Sequence, residues 1–367
     1  MKKDNSSSFI INFLILIITI CLGIFVYKTI DKNRVKEIET NNNLYQNSII
    51  ENENNNENNS ISYKNEADKY YYKQLNENAK MIYNGMYNNK QNLKKGNYTI
   101  EFGNKFNTLL NSNNGNQILR DDFQSAWNAF SYDNMDVFYI DISKFKLLSE
   151  GRTRLGKTEY KVSIGILKER YSMNESDIND DNYFKDDFKT REEIEEAIKY
   201  LELTRNNIVK EANKYITDYE KVKYVHDYLV SNIEYEEKDI NKSSNYTIYG
   251  ALKEKRAVCE GYSRTLKYIL DELNIPCLLI PGSGINEKNE MENHAWNYVL
   301  IDNKWYAVDL TWDDPIIIGN GYVNNDIHYK YFLKGSNDFF INHKESNKLV
   351  ENSQEFSYPI LSKFNYF

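Results

Sequence analysis

The sequence predicts an α+β fold, and three observations carry that prediction. Helical spacing of apolar residues runs from Thr190 to Ile233 and again from Cys259 to Leu273. Strand-like alternation occurs at Tyr160 to Ile166 and on both sides of a polar turn, Asp302-Asn303-Lys304. Composition agrees with a packed core: of 367 residues, 41% are hydrophobic and 14% aromatic, while 15 Gly and 4 Pro exclude collagenous or Pro-rich architecture. That length suits two domains.

Phe9 to Tyr27 is an uncharged apolar run interrupted only by Asn12, Thr19 and Gly23. At ~1.5 Å per residue, its helix would match the hydrocarbon core of a bilayer. A single transmembrane anchor is therefore expected over 9–27, behind a short tail, 1–8. A cleaved signal peptide is the competing reading, because Lys2 and Lys3 precede the run. No small-x-small cleavage site follows, the exit reading Ile24-Phe25-Val26-Tyr27-Lys28. Lys28, Lys32, Arg34 and Lys36 weigh against an external C-terminal part by the positive-inside bias. A short tail before a single span is nonetheless the pattern of a signal anchor, so the remainder is expected outside the cell membrane. Residues 28–60, which include the run Glu51 to Ser60 (ENENNNENNS), cannot bury enough apolar area to offset ordering entropy and read as a tether.

Residues 61–187 read as a first folded domain of mixed α and β type, with no catalytic set. A helix is expected over Ala67 to Tyr87, with Tyr71, Leu75, Ala79, Ile82 and Met86 near one face. Val137 to Ile142 and Tyr160 to Ile166 read as strands. A second domain, 188–367, opens with a helix at Thr190, where Thr190 and Glu193 form a capping-box pattern. The helical pattern is expected to break near Thr204 to Asn207 and to resume with Val222, Val225, Leu229 and Ile233 on one face. Another helix starts at Cys259 and ends at Asn274-Ile275-Pro276. The strands His294 to Ile301 and Trp305 to Trp312 complete the reading as a hairpin.

Chemistry concentrates in that second half. Cys259, His294 and Asp309 supply a thiol, an imidazole and a carboxylate, the parts of a cysteine-nucleophile acyl-transfer site. A thiol at a helix N-terminus faces free backbone N–H groups and the positive end of the helix dipole, which favour thiolate. If the hairpin loop is Asp302-Asn303, Ile301 pairs with Lys304 and Asp309 lies diagonal to His294. If it is Ile301-Asp302, the two face each other, and either register allows a His–carboxylate hydrogen bond. Cys277, in the apolar run Cys277 to Ile280, reads as a core residue. His226, His328 and His343 read as structural, and Asp313 and Asp314, before Pro315, as turn-capping or solvated.

The bulk numbers exclude other classes. The net charge of −8 leaves no basic face for nucleic acid. Three Cys form no disulfide framework, and without a C-x-x-C the paired-Cys zinc sites are absent. No metal or cofactor is expected.

From about Tyr219 to His343 the chain resembles the transglutaminase-like superfamily. The runs that carry the resemblance are Val222 to Leu229, Tyr249 to Leu252, Val258 to Tyr262, His294 to Asn297 and Trp305 to Pro315. The resemblance implies a papain-like core, with Cys on a helix packed on an antiparallel sheet bearing His and Asp. Nucleophile, base and orienting acid then fall on Cys259, His294 and Asp309. It also implies an upstream oxyanion donor, for which Tyr246 and Tyr249 are candidates, and Trp296 is a candidate support. No calcium loop of the kind animal crosslinking enzymes need is recognisable. The expected activity is acyl transfer from amide bonds of a cell-surface or wall-associated peptide or protein, by hydrolysis or crosslinking. The alternative is a catalytically inactive member serving as a surface binding or scaffold module; retention of all three residues favours the enzyme.

Overall fold

The computed structural model describes residues 68–166, 181–286, 288–314, 329–348 and 353–366. The expected anchor at 9–27, the tether at 28–60 and His328 lie outside them. Among the described residues, no helix is long and apolar enough to cross a membrane. The described residues belong to one compact unit, Tyr63–Phe367.

The first helical segment is two helices, α1 (Tyr70–Gln74) and α2 (Glu77–Asn88), where the spacing predicts one. Leu75 is extended, and the Asn76 side chain accepts from the Ala79 N–H, so Asn76 starts a new helix. The predicted apolar face survives the break: Tyr71, Leu75, Ala79, Ile82 and Met86 are all buried. After a short α3 (Lys90–Leu93) and β1 (Ile100–Gly103), α4 (Asn107–Leu110) leads into the long α5 (Gly115–Asp133).

Val137 to Ile142 is not a strand. It makes a single bridge, Ile140 to Phe184, and buries the consecutive side chains Val137 to Ile140. An irregular segment surrounded by core explains its apolar run. Tyr160 to Ile166 lies largely within β3 (Lys157–Gly165), the centre of a three-stranded sheet ordered β1-β3-β2. Its partner β2 (Lys146–Arg154) is mostly exposed and lacks apolar alternation, which hides it in the sequence.

Thr190 caps α6 (Arg191–Ala212) with a complete capping box. The helix does not break at Thr204 to Asn207, because these polar residues lie off its buried face, which continues through Leu201 and Ile208. The break comes at 213–217, where Thr217 and Glu220 form a second capping box opening α7 (Asp218–Asn232). Short strands β4 (Glu234–Tyr235) and β5 (Arg256–Ala257) pair in parallel and deliver the chain to α8 (Cys259–Glu272).

The main sheet holds β6 (Cys277–Ile285), β7 (Met291–Ile301), β8 (Lys304–Val308) and β9 (His343–Glu345), ordered β8-β7-β6-β9 and antiparallel throughout. The β7–β8 loop is Asp302-Asn303, both with positive φ, so Ile301 pairs with Lys304. One core packs the described parts of 61–187 with α6, α7 and α8 across the predicted domain boundary. A smaller cluster of Leu278, Ile280, Trp296, Tyr298, Leu300 and Trp305 belongs to the sheet. Two short helices, α9 (Leu310–Asp313) and α10 (Ser336–Phe339), flank it.

Candidate active site

Cys259 is the first residue of α8 and is partly exposed. Val258 precedes it in extended conformation and supplies no side-chain cap. The helix start is docked by the Val258 N–H on the Asn245 carbonyl at 3.0 Å. Gly261 permits that docking, since a Cβ there would sit 2.3 Å from the Asn245 oxygen. Arg264 pairs with Glu260 at 2.7 Å and donates to the Ser131 carbonyl at 2.6 Å, holding the first turns against the N-terminal half.

His294 and Asp309 meet as the hairpin predicts. β8 ends at Val308, opposite Asn297, and the next residue leaves the strand to cap α9. Asp309 Oδ1 accepts the N–H groups of Thr311 at 3.0 Å and Trp312 at 3.3 Å. Its Oδ2 lies 2.7 Å from His294 Nε2. Trp312 stacks on the His294 ring at 4.8 Å. With Nε2 on Asp309, Nδ1 is the nitrogen left for Cys259.

The electrostatics favour a charged imidazole. Burial alone would lower the His294 pKa, but the Asp309 charge and hydrogen bond, joined by the Cys259 thiol, raise it to about 10. Burial would likewise raise that of Asp309, yet His294 and His343 hold its carboxyl well below the usual range. Cys277 is buried, with its thiol pushed up by burial, as suits a core residue.

Four residues depart from the sequence reading. His343, read as structural, places Nε2 3.1 Å from the same Asp309 oxygen and is buried. No motif around it signals this, because β9 joins the sheet from beyond the hairpin. Asp313 is buried rather than solvated, taking His226 Nε2 at 3.1 Å and the Tyr331 N–H at 2.8 Å. Asp314 accepts the Tyr262 hydroxyl. Tyr249 stacks on Phe138 and packs against Phe188, and its charged neighbours are Glu254, Asp187, Lys242 and Glu193 rather than Cys259.

Tyr246 lies near the thiol: burial and then the charge of Cys259 raise its pKa. Tyr235, which the sequence does not single out, has Cys259, Glu292, Tyr246 and Asp309 as charge neighbours. Trp296 is fully buried against His343 and Phe339, a support for the histidines rather than a donor toward Cys259.

His294, Asp309 and His343 bring three potential ligand atoms within 4.8 Å of one another. Each of those atoms is engaged in a hydrogen bond, so the group is a buried hydrogen-bond chain. A polar cavity of about 400 Å³, lined among others by Lys69, Asp133, Arg205 and Asp271, includes none of the three.

Residues 206–310 match the family model of the transglutaminase-like superfamily. The kyphoscoliosis peptidases of Homo sapiens and Mus musculus are each 26% identical over a match covering 30% of this chain. The match spans 18% of the length of each of those proteins. A crystal structure of a TGase overlaps 50% of this chain and 48% of its own, at 20% identity and a TM-score of 0.29.

Proposed function

From the premise that residues 206–310 are a transglutaminase-like domain, we propose that the protein transfers acyl groups from peptide amides through a thioester on Cys259. The observation that carries the reading is the buried 2.7 Å contact between His294 and Asp309, with the Cys259 thiol among the groups that raise the His294 pKa. Cys259 Sγ attacks the amide carbonyl, and the C–N bond breaks as His294 gives its Nδ1 proton to the departing amine. Water or an amine then attacks the thioester, His294 takes the incoming proton, and the thiol is restored. Asp309, bonded to Nε2, fixes the tautomer and stabilises the imidazolium. The Cys259 backbone N–H and the Tyr246 hydroxyl are the oxyanion donors in this scheme.

The substrate is a peptide or protein, and the site works on the outer face of the cell membrane, held by the anchor at 9–27. Support for that location is the apolar run and the polar stretch after it.

The test is iodoacetamide labelling of Cys259 in the full chain, located by peptide mass. The wild type should label rapidly at pH 5–6, and His294→Ala should slow that labelling about 10²-fold. Labelling that rises only with an ordinary thiol, indifferent to His294, would leave the inactive scaffold as the better reading. With a glutamine peptide and hydroxylamine, hydroxamate formation would mark amine transfer, and ammonia release alone would mark hydrolysis.

A further inference from the structure

We propose that His343 is a positioning residue of this centre. Its Nε2–H, donated to the Asp309 oxygen that also meets His294, keeps that carboxylate ionised and aimed. The inference rests on the reading of Cys259 and His294 as the reacting pair. The family match ends at residue 310, so His343 lies beyond it.

Asp309 is wholly buried, and a carboxylate without water needs donors to remain charged. Oδ1 has the two N–H groups of α9. Among the described residues, Oδ2 meets the two imidazoles, at 2.7 and 3.1 Å. Since an ionised carboxylate only accepts, the His343 nitrogen facing it carries a proton.

The His343 pKa lies below the ordinary histidine value. Burial lowers its pKa and the neighbouring His294 opposes a second positive charge, outweighing the pull of Asp309. Its Nδ1 lies 2.9 Å from Asn342 Oδ1, and Asn342 Nδ2 donates to the Tyr331 hydroxyl at 2.8 Å.

Beyond these and the Phe339 backbone, the ring's neighbours are aromatic. Phe339 stacks on His343 at 3.9 Å, and Trp312, Trp296 and Tyr331 stand at 4.4, 5.1 and 5.3 Å. Among the described residues, the charged groups facing His343 are Asp309 and His294, with Tyr331 the other titratable one. Phenylalanine keeps an aromatic ring there without a donor but is larger, so the smaller His343→Gln, which keeps a donor, is the control for packing. That separates packing from hydrogen bonding.

The test compares His343→Phe, which keeps a ring, with His343→Gln, whose amide can restore the donor. In the full chain, the acid limb of the Cys259 labelling profile should move up by at least about one pH unit in His343→Phe. Labelling at pH 5 should then fall about two- to fivefold, with the plateau near pH 8 unchanged. His343→Gln should return the limb to the wild-type position. Superimposed profiles for His343→Phe and wild type, or a Gln variant that behaves like Phe, would overturn the proposal.

A second readout needs no working nucleophile. In urea denaturation, His343→Phe and Asp309→Asn should be strongly non-additive, because each removes the same bond. Additive losses would overturn the role of His343. If wild type and His294→Ala label alike while the cycle stays coupled, the nucleophile reading fails and the Asp309–His343 bond stands.

Discussion

Asp309 joins two jobs that usually belong to separate side chains. One oxygen caps α9 and the other orders the histidines, so the helix cap itself fixes the carboxylate's rotation. Its bond to His294 has a pH signature. Folded His294 keeps its proton to about pH 10, whereas an unfolded histidine releases it near ~6.5. The stabilisation is therefore complete below about pH 6.5 and is lost as pH climbs toward 10. Urea denaturation across pH 6–10 should show this decline in the wild type and a flatter profile in His294→Gln. Cys259, His294 and Asp309 were legible in the sequence because a helix start and a two-residue hairpin fix their positions locally. His343 was not, because its approach to Asp309 depends on the edge strand β9, which no local pattern brings there.

Legibility at the level of elements followed the hydrogen bonds available to each terminus. The Thr190 box marked a helix start, and Thr217 with Glu220 repeats the same signature at the break. That second box outweighs the polar patch at Thr204 to Asn207, where the helix continues with Thr204 donating back to the Tyr200 carbonyl at 2.9 Å. Thr217→Ala should cost about 1 kcal/mol in urea denaturation, and an unchanged midpoint would remove the box from this account. Exposed β2 and the buried irregular run at Val137 escaped for opposite reasons. One lacks the apolar face that marks a strand, and the other has one continuous enough to imitate it. The His226–Asp313 bond adds a tie between α7 and α9, so the helix capped by Asp309 is pinned from its far end.

Across the molecule, the core pays no attention to the boundary drawn at residue 187. Tyr71, from α1, donates its hydroxyl to the Leu279 carbonyl in β6, and Arg264 of α8 reaches back to Ser131. Tyr83, Phe130 and Met135 share one cluster with Leu266 and Ile269. A fragment of residues 188–367 should therefore lose cooperative unfolding, seen as a broad urea transition, while the full chain unfolds sharply. A sharp transition in the fragment would make the two halves separable. The hairpin between His294 and Asp309 carries a different implication, for how such a chain can vary in length. From Asn297 to Val308 its strands are paired residue for residue through a two-residue turn, which helps set the 15-residue interval between His294 and Asp309. One added residue within it would turn Asp309 away from the imidazole. The loop between Ile285 and Met291 lies outside that interval, so insertions there would leave the measured span intact.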